Sequence, residues 1–546
     1  MKLIYNSKEI EVPENTSIKD GLKEQIEKSK YPVIGAKFNN EYKRLDFIPK
    51  MDGKVSLVDI SSKGGMKIYR RTLIFIMAKA FEKIDKNIKI RVNYQLSNSM
   101  YCNIENMDAT DEMLEKVQNE MKKIVDANLP IIKKELTRQE AEELYKKEDS
   151  SKGRLQLDLE ENKVINMYYC EDYYNYIYGD LAISTGVTNI FEIVKYDKGF
   201  LLRYPASKAP FVLPEFKETK KLHWALNEYN DIHKILDVIT IYKLNNIIKS
   251  KDLKYLIMLE EALHEKKIAQ IADKIAEKKD VKMVLIAGPS SSGKTTFAQR
   301  LGLELRINGL KPVTISVDNY FVERENTPRD ENGEYDFENI DAIDLELFNK
   351  DLTDLLNGKT INCPEFDFSV GTKRYKGKTM SLAKDEILVI EGIHCLNDKL
   401  TSQIAKENKY KIYISDLSVL KMDRLNRIST TDARLIRRIV RDYQFRSYSA
   451  EKTLKTWPKV TRGEERNIFP FQEEADSIFN TSLIYELAAL KNIAMPLLKE
   501  IPKESSEYAE AQKLINILKY FEPIPSEYIP ANSLLKEFLG GGNFDY

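Results

Sequence analysis

Residues 281–296 read Val-Lys-Met-Val-Leu-Ile-Ala-Gly-Pro-Ser-Ser-Ser-Gly-Lys-Thr-Thr, and this stretch decides the fold of the chain. The apolar run 283–287 has the length and the β-branched centre of a buried strand. It leads into the pattern G-x-x-x-x-G-K-T, which starts at Gly288 and opens a helix. The N–H groups of such a loop and the positive end of its helix attract phosphate. The stretch therefore predicts a nucleoside triphosphate site in an α/β fold.

Each residue type in this loop has an expected role. Lys294 can reach the outer phosphates of a triphosphate, and the hydroxyl of Thr295 can bind Mg²⁺. The glycines allow the backbone to curl around the anion. The predicted nucleotide-binding residues of the loop are Gly288, Ser290, Ser291, Ser292, Gly293, Lys294, Thr295 and Thr296.

Two acids follow apolar runs downstream of the loop. Strand and helix patterns alternate from 281 to about 491, which predicts a parallel sheet with ligands beyond the carboxyl ends of its strands. Glu391 follows the run 386–390 and suits a Mg²⁺ site, although a buried acid paired with a lysine would give the same pattern. Asp318 follows 312–317 and suits a group that orients an acceptor hydroxyl and takes its proton. A turn cap is the alternative for Asp318.

Four arginines recur at the spacing of one helix face. Arg434, Arg437, Arg438 and Arg441 lie at i, i+3, i+4 and i+7, within an arc of about 100°. This face predicts a lid over the triphosphate, with Arg438 and Arg441 acting on the migrating phosphoryl group and Arg437 binding nucleotide. Arg446 could bind nucleotide from the end of the helix. A solvated basic face or a nucleic-acid patch is the alternative.

The composition is that of an ordinary globular protein. Lys plus Arg (85) equals Asp plus Glu (85), which excludes a chain-wide basic field for nucleic acid. The four cysteines have neither disulfide-framework nor zinc spacing, which fits a reducing compartment. The start of the sequence lacks an apolar signal core, and no apolar run is long enough to span a bilayer. We therefore expect a cytoplasmic protein without a membrane segment.

Patterning along the chain predicts five units. They are a β-rich unit over 1–62, an α+β unit over 63–214, a helical connector over 215–280, an α/β unit over 281–491 and a helical tail over 492–546. In the first unit, strands flank a turn at Asn6 and Ser7, and Ser17 caps a helix. In the second, the alternation over 154–158 predicts a strand.

Residues 281–485 resemble the uridine kinase and phosphoribulokinase family of P-loop kinases. The resemblance is carried by the glycine-rich loop, the arginine helix and the segments 318–321, 335–347, 364–368 and 390–393. It implies a P-loop NTPase-type parallel sheet flanked by helices, with ATP and Mg²⁺ as cofactors. It also implies transfer of phosphate to the primary hydroxyl of a uridine-like or cytidine-like ribonucleoside, or of a related sugar metabolite. The acceptor would lie against Asp318, Tyr320, Glu338 and Asp367, with Asp318 as the base.

The sequence departs from this family at two places that concern the acceptor. Members that accept uridine usually have Phe-Tyr after the catalytic acid, whereas Tyr320 and Phe321 stand in the reverse order. They also carry a histidine shortly after a Tyr-Asp-Phe run. Here 366–368 read Phe-Asp-Phe, and the next residues are Ser369, Val370 and Gly371, with no histidine among them.

The first 210 residues resemble the N-terminal part of threonyl-tRNA synthetase, with a β-grasp-like TGS domain followed by an α+β editing-like domain. Editing domains carry H-x-x-x-H and C-x-x-x-H, and the aligned positions here are Phe75, Lys79, Ile177 and Leu181. We therefore expect no hydrolytic editing. The resemblance leaves a possible contact with RNA through this half, and we also expect a homo-oligomer.

Two other functional classes fit a phosphate loop. A regulatory protein linked to RNA or ribosomes could use the nucleotide as a switch, but no guanine-reading N-K-x-D follows the loop. A motor-type ATPase usually has an Asp-Glu pair at its acidic strand, and here Ile390 precedes Glu391. A small-molecule kinase is therefore the leading hypothesis.

Overall fold

The N-terminal residues fold into a mixed five-stranded sheet with two short helices, in the order β2-β1-β5-β3-β4. Asn6 and Ser7 have φ angles of 48° and 64° and close the β1–β2 hairpin, as the sequence predicts. The Ser17 hydroxyl accepts a hydrogen bond from the N–H of Asp20, which confirms the predicted cap. The elements are β1 (Lys2–Tyr5), β2 (Lys8–Glu11), α1 (Ile18–Gly21), α2 (Lys23–Glu27), β3 (Val33–Phe38), β4 (Glu41–Lys43) and β5 (Gly53–Asp59).

This computed structural model describes residues 1–147, 153–159, 164–330, 333–367 and 370–544. Phe368, part of one predicted family motif, lies outside the described residues. Among the described residues, no helix is both long and apolar enough to cross a membrane.

The next unit combines helices with two antiparallel sheets, ordered β11-β12-β7-β6 and β10-β9-β8. Its elements are α3 (Lys63–Ile84), β6 (Ile90–Leu96), β7 (Ser99–Ile104), α4 (Asp111–Asp126), β8 (Ile132–Thr137), α5 (Arg138–Lys147), β9 (Val164–Cys170), β10 (Tyr173–Asn175), β11 (Glu192–Tyr196) and β12 (Gly199–Arg203).

The strand predicted over 154–158 is wrong, because Arg154–Asp158 forms a 3₁₀ helix. Gly153 starts the turn with a φ of 81°, and the N–H of Gln156 donates to its carbonyl oxygen at 3.0 Å. The two leucines that suggested a strand are packed in different apolar clusters, Leu155 in the core that contains Val284 and Leu157 against the cluster of Ala141 and Ile165, so alternating apolar residues do not require a sheet.

Three helices connect this unit to the C-terminal half. They are α6 (Lys220–Ile235), α7 (Ile241–Lys249) and α8 (Leu253–Glu277). Apolar side chains of α7 and α8, such as Leu244 and Ile257, belong to the same buried core as Val284 of the following sheet. The helices therefore form one wall of the α/β core.

The C-terminal half is built on a parallel sheet in the order β14-β19-β13-β20-β21. Its strands are β13 (Met283–Ala287), β14 (Lys311–Ser316), β19 (Glu386–Glu391), β20 (Lys409–Ser415) and β21 (Ser477–Asn480). Two small hairpins are β15 (Ile361–Asn362) with β18 (Thr379–Met380) and β16 (Glu365–Asp367) with β17 (Thr372–Arg374). The parallel α/β architecture expected from the sequence is confirmed.

Helices flank this sheet, and the tail packs on it. They are α9 (Lys294–Ile307), α10 (Leu345–Leu356), α11 (Thr430–Arg446), α12 (Ala450–Asn467), α13 (Glu486–Lys499), α14 (Tyr508–Leu518) and α15 (Lys536–Leu539). Leu534 and Phe538 of the tail are fully buried in the same apolar core as Val284. The tail segment 534–539 therefore packs into the apolar core of the α/β unit.

Strand order brings three chemistry-bearing segments to one edge. In the register, Glu391 lies opposite Ser316 of β14 and Ile286 of β13. Asp318 follows β14 by two residues, and the glycine-rich loop follows β13 directly. Because parallel strands end on the same edge, the loop and the two acids face a common cleft.

Candidate active site

The glycine-rich loop passes so close to its neighbours that side chains are excluded at two positions. A Cβ on Gly288 would lie 2.2 Å from the carbonyl oxygen of Ile414. Gly293 has a left-handed φ of 85°, and a Cβ there would lie 2.5 Å from Leu534. The loop therefore leads tightly from β13 into α9, and the backbone N–H groups at the start of α9 have no partners within the helix.

Lys294 and Thr295 open helix α9 and point to different sides of the loop. The Lys294 ammonium donates to the carbonyl oxygens of Gly288 and Pro289, at 3.0 and 3.3 Å, and so lies across the loop. The Thr295 hydroxyl donates to Oε1 of Glu391 at 3.4 Å. The hydroxyl and the carboxylate thus form a pair of oxygen ligands, of the type that Mg²⁺ prefers.

Glu391 and Asp318 are the acids of the cleft. Burial raises the pKa of Glu391, while the nearby Lys294 charge acts in the opposite direction. Glu391 Oε2 is buried and has no hydrogen-bond partner within the described chain. Asp318 has a solvent-exposed side chain, yet loss of surrounding water raises its pKa and Lys294 again opposes the shift. A carboxylate with an unused buried oxygen fits a divalent cation beside the loop.

Arg434 and Arg437 support the loop from behind. Arg434 forms an ion pair with Glu464 at 2.6 Å and donates to the Ser290 carbonyl oxygen at 3.1 Å. Glu464 also accepts the Ser290 N–H at 2.8 Å. Arg437 is completely buried, pairs with Glu486 and reaches the Ser291 carbonyl oxygen at 3.4 Å.

The nucleotide contact predicted for Arg437 is therefore corrected by the structure. Its guanidinium donates to the oxygens of Glu486 and Thr481 and to the outer side of the loop. Helical spacing puts Arg437 on the same face as Arg438. The spacing does not reveal that buried acids pair with two of the four arginines on that face.

Arg438, Arg441 and Arg446 converge on one buried acid, Asp442. Their distances to Asp442 oxygens are 3.2, 3.2 and 3.4 Å. Arg438 also donates to the Ser290 hydroxyl at 2.6 Å, so it lies at the rim of the loop. Sequence reasoning missed Asp442, although its i+4 spacing from Arg438 was a usable signal.

The predicted acceptor-side residues other than Asp318 are Glu338, Asp367 and Tyr320, which lie on separate segments of the chain. Glu338 lies against Gly463, and burial together with the charge of Glu464 raises its pKa while Arg438 and Lys294 oppose the shift. This places Glu338 near the loop. Asp367 pairs with Arg374 at 3.1 Å in the β16–β17 hairpin.

The acceptor contact predicted for Tyr320 is not supported. Its ring is buried against Phe348, and its hydroxyl donates to Asp351 at 3.1 Å. Val317–Tyr320 is a 3₁₀ turn, in which the side chains at positions 318 and 320 point in different directions. Asp318 therefore faces the cleft while Tyr320 enters the core.

The C-terminal tail supplies a carboxylate to the start of helix α9. Glu537 Oε2 accepts hydrogen bonds from the Thr296 N–H at 3.1 Å and from the Thr296 hydroxyl at 2.9 Å. Phe538 packs its ring against the Arg437 guanidinium, 5.2 Å away. No local pattern reveals the contact between Glu537 and Thr296, because these two residues are 241 positions apart.

Comparison with known proteins identifies the C-terminal half. Residues 283–485 match the profile of the Phosphoribulokinase / Uridine kinase family. A uridine kinase of Mycoplasma genitalium is 32% identical over 178 residues, which cover 33% of this chain and 74% of that protein. The chain belongs to the phosphoribulokinase and uridine kinase family. It is a P-loop kinase by family, with the glycine-rich loop and both acids inside the matched range.

The N-terminal region is similar to part of a different enzyme. A threonine–tRNA ligase of Geobacillus is 31% identical over 180 residues, or 33% of this chain. The chain spans only 27% of the length of that ligase.

Among solved structures, the kinase resembles one titled "Possible Uridine Kinase" from Bacillus stearothermophilus. The two are 19% identical with a TM-score of 0.23, over 39% of this chain and 100% of the other. A D-glycerate 3-kinase from Cryptococcus neoformans aligns at 13% identity and a TM-score of 0.21, over 49% and 89%. Similarity this low adds nothing to the sequence matches.

The four positions aligned with editing ligands lie in or beside the apolar core of the α+β unit. Phe75, Ile177 and Leu181 belong to one buried cluster, and Phe75 packs edge-on against Tyr173. Lys79 is buried and donates to the carbonyl oxygen of Cys170 at 3.0 Å. Lys79 also pairs with Glu171 at 3.0 Å and with Asp172 at 3.4 Å, so these four side chains are held by packing, a backbone contact and ion pairs.

Proposed function

We propose that this chain is an ATP-dependent kinase that phosphorylates the primary hydroxyl of a ribonucleoside or a related sugar metabolite. The observation that carries the proposal is the meeting of the phosphate loop, Glu391 and Asp318 at the ends of three adjacent strands. Family membership supports the class of reaction. Uridine and cytidine are the first acceptors to test.

In this proposal the loop binds the triphosphate through its backbone N–H groups and through Lys294. The ammonium exchanges its bonds to the loop carbonyls for phosphate oxygens, which are stronger partners because they are charged. Arg438 and Arg441 approach from helix α11 and stabilise negative charge on the migrating group. Arg437 keeps the loop in place, and Arg446 lies farther out at the end of the helix.

Thr295 and Glu391 would hold Mg²⁺, which neutralises charge on the phosphates when bound. Asp318 orients the acceptor hydroxyl and takes its proton as the oxygen forms its bond to the γ-phosphorus. The bond from that phosphorus to the bridging oxygen breaks, and ADP leaves. The raised pKa of Asp318 makes its carboxylate a better proton acceptor than an ordinary aspartate.

The acceptor would lie between Asp318 and Glu338, with Asp367 on the neighbouring hairpin. Glu338 can accept hydrogen bonds from sugar hydroxyls. Tyr320 has no role in the proposed site, because its hydroxyl is engaged with Asp351. The missing histidine after 366–368 leaves the base to be identified by experiment.

Glu537 holds the place of an anion at the start of helix α9. Its carboxylate bonds the Thr296 N–H, one of the donors that a helix start offers to phosphate. We propose that the α15 segment moves aside, or rotates Glu537 away, when the triphosphate binds.

The decisive experiment is a panel of nucleosides and sugar phosphates incubated with ATP or GTP and scored for phosphorylated product. We expect ATP-dependent phosphorylation of at least one nucleoside or sugar, and no transfer by Lys294→Ala. Lys282→Ala, a change before the loop, is the matched control. Tight binding of GTP in preference to ATP, with no product from any acceptor, would instead indicate a nucleotide switch.

The cytoplasmic location, the homo-oligomer and the RNA contact of the N-terminal half remain predictions. So does the division into units over 1–62, 63–214, 215–280, 281–491 and 492–546.

A further inference from the structure

A cleft of about 400 Å³ lies between the N-terminal units and helix α14. Its walls come from β4, the start of α3, the segment around Tyr178 and α14. This volume is in the range of small-molecule sites. No residue of the phosphate loop lines it, so the cleft is separate from the proposed active site.

Each acid that lines the cleft already has a lysine partner. Glu41 pairs with Lys43 at 2.6 Å, and Asp180 lies 3.4 Å from Lys133. The third acid, Glu510, pairs with Lys513 of the same helix. The acids are therefore neutralised within the wall and leave no net negative charge to attract a cation.

Lys67 and Arg71 are two of the cations that line the cleft. Lys67 and Arg71 sit one turn apart on α3, and neither has a carboxylate at ion-pair distance in the described part of the chain. Both also line an adjoining cavity of about 80 Å³, which adds Arg70 and Arg427. Arg70 bonds Gln95 at 3.2 Å, a neutral partner.

Such a cluster is unfavourable in the protein alone. Like charges one helical turn apart repel each other. The charge of Lys513, together with burial, lowers the pKa of Lys67 to about 8. Lys513 pairs with both Asp432, at 2.6 Å, and Glu510, and the two acids also act on Lys67 to raise its pKa, so they oppose the repulsion without cancelling it. A ligand with several negative charges would remove the remaining repulsion between the cations.

The other walls favour an organic ligand over a lone ion. Five tyrosines line the larger cavity, and they are Tyr42, Tyr168, Tyr176, Tyr178 and Tyr520. Tyr42 is 36% exposed, so part of its ring is open to a ligand. Aromatic walls beside a cationic end suit a molecule with a planar or sugar body and a phosphate tail.

We propose that this cleft is a second binding site, which takes a small ligand carrying several phosphate groups, of the size of a nucleotide. The α3 cations bind its phosphates, and the tyrosine walls enclose its body. The site does not depend on the kinase reaction.

The test counts ATP molecules bound to the full chain by equilibrium dialysis. We expect two sites in the wild type, one in Lys294→Ala and one in the double variant Lys67→Gln, Arg71→Gln. The control Lys86→Gln, Lys122→Gln removes two exposed positive charges of the same half and should leave two sites. In the Lys294→Ala chain, inorganic tripolyphosphate should compete with ATP and adenosine should not.

The possible outcomes separate the two proposals. An unchanged count in Lys67→Gln, Arg71→Gln, or competition by adenosine alone, would overturn the cleft proposal. A wild-type chain that binds one ATP, with none bound by Lys294→Ala, would also overturn the cleft proposal. It would leave the active-site proposal intact. An unchanged count in Lys294→Ala, with one site lost in the α3 variant, would support the cleft and contradict the proposed active site.

Hydrogen–deuterium exchange gives a second measurement that requires no substitution of the residues lining the cleft. In Lys294→Ala, we expect ATP to slow exchange in the first turns of α3 and in α14. Slowing confined to the glycine-rich loop would overturn the proposal.

Discussion

The carboxylate of Glu537 and the first turn of α9 form one hydrogen-bonded unit, in which Thr296 donates both its N–H and its hydroxyl to the same oxygen. This is the end of the helix that attracts phosphate. The tail thus places a negative charge of the protein where the nucleotide should bind.

Replacing Glu537 with alanine should therefore strengthen ATP binding. Removal of the competing carboxylate should lower the Kd for ATP on the order of tenfold. Loss of the helix cap should lower the free energy of unfolding of the ATP-free protein by about 1 kcal/mol. Calorimetric titration and urea unfolding would measure the two effects. Glu527→Ala, an exposed change in the same tail, is the control. Weaker ATP binding in Glu537→Ala would show that the tail assists the nucleotide.

Asp318→Asn should separate binding from chemistry. The amide keeps the size of the side chain but cannot take a proton, so we expect kcat to fall on the order of a hundredfold or more with little change in ATP affinity. Steady-state kinetics with the best acceptor would test this. Asp341→Asn, at an exposed acid nearby, should retain activity. A turnover equal to that of the wild type would remove Asp318 from the mechanism.

Adjacent glutamates on α12 offer a matched test of the loop support. Glu464 is buried with Arg434, so Glu464→Ala should lower the free energy of unfolding by about 3–5 kcal/mol, because an unpaired guanidinium remains buried. Glu465 forms an exposed pair with Lys63, and Glu465→Ala should cost about 0–1 kcal/mol. Urea unfolding of both variants gives the comparison. Equal effects would contradict a structural role for the Arg434 pair.

ATP binding in the α3 cleft should weaken as the pH rises from 7 to 9. Lys67, with its pKa near 8, is mostly charged at pH 7 and mostly neutral at pH 9, while phosphates with a pKa of about 6 stay ionised. The charged groups that face Lys67 are Arg71 on its own helix, Lys513 and Glu510 on α14, and Asp432 on α11. Loss of one charge should cost about 1 kcal/mol, or roughly fivefold in Kd.

The pH dependence should be measured by dialysis in the Lys294→Ala chain, so that the phosphate loop does not contribute. Adding Lys67→Gln should flatten the profile. A profile that stays steep without Lys67 would assign the titration to another group.

The sequence was sufficient to predict those elements that depend on interactions between residues close together in the chain. The strand, loop and helix around Gly288 follow from hydrophobic pattern and glycine spacing. The hairpin at Asn6 and the cap at Ser17 follow from turn and cap chemistry. At 154–158 the same reasoning failed, because an alternating pattern indicates which residues are apolar and does not specify the backbone, and here a 3₁₀ helix places Leu155 and Leu157 in two different clusters.

The residues of the candidate site could be predicted from the sequence, but the residues that pair with them could not. Strand-end acids could be found because parallel strands end together, and the register confirms that Glu391 lies beside β14 and β13. The arginine face was visible, but the pairing of Arg434 with Glu464 and of Arg437 with Glu486 was not. Those acids come from other helices, and helical spacing carries no information about them.

The amino-acid sequence by itself determined the kinase fold, the phosphate loop and the positions of Lys294, Asp318 and Glu391, because short-range pattern and strand topology specify them. The tertiary structure alone decided that Glu537 closes the start of α9 and that Lys67 and Arg71 share a cleft with α14. Such contacts join residues hundreds of positions apart. They depend on how the units pack, and packing is set by the summed burial of many side chains.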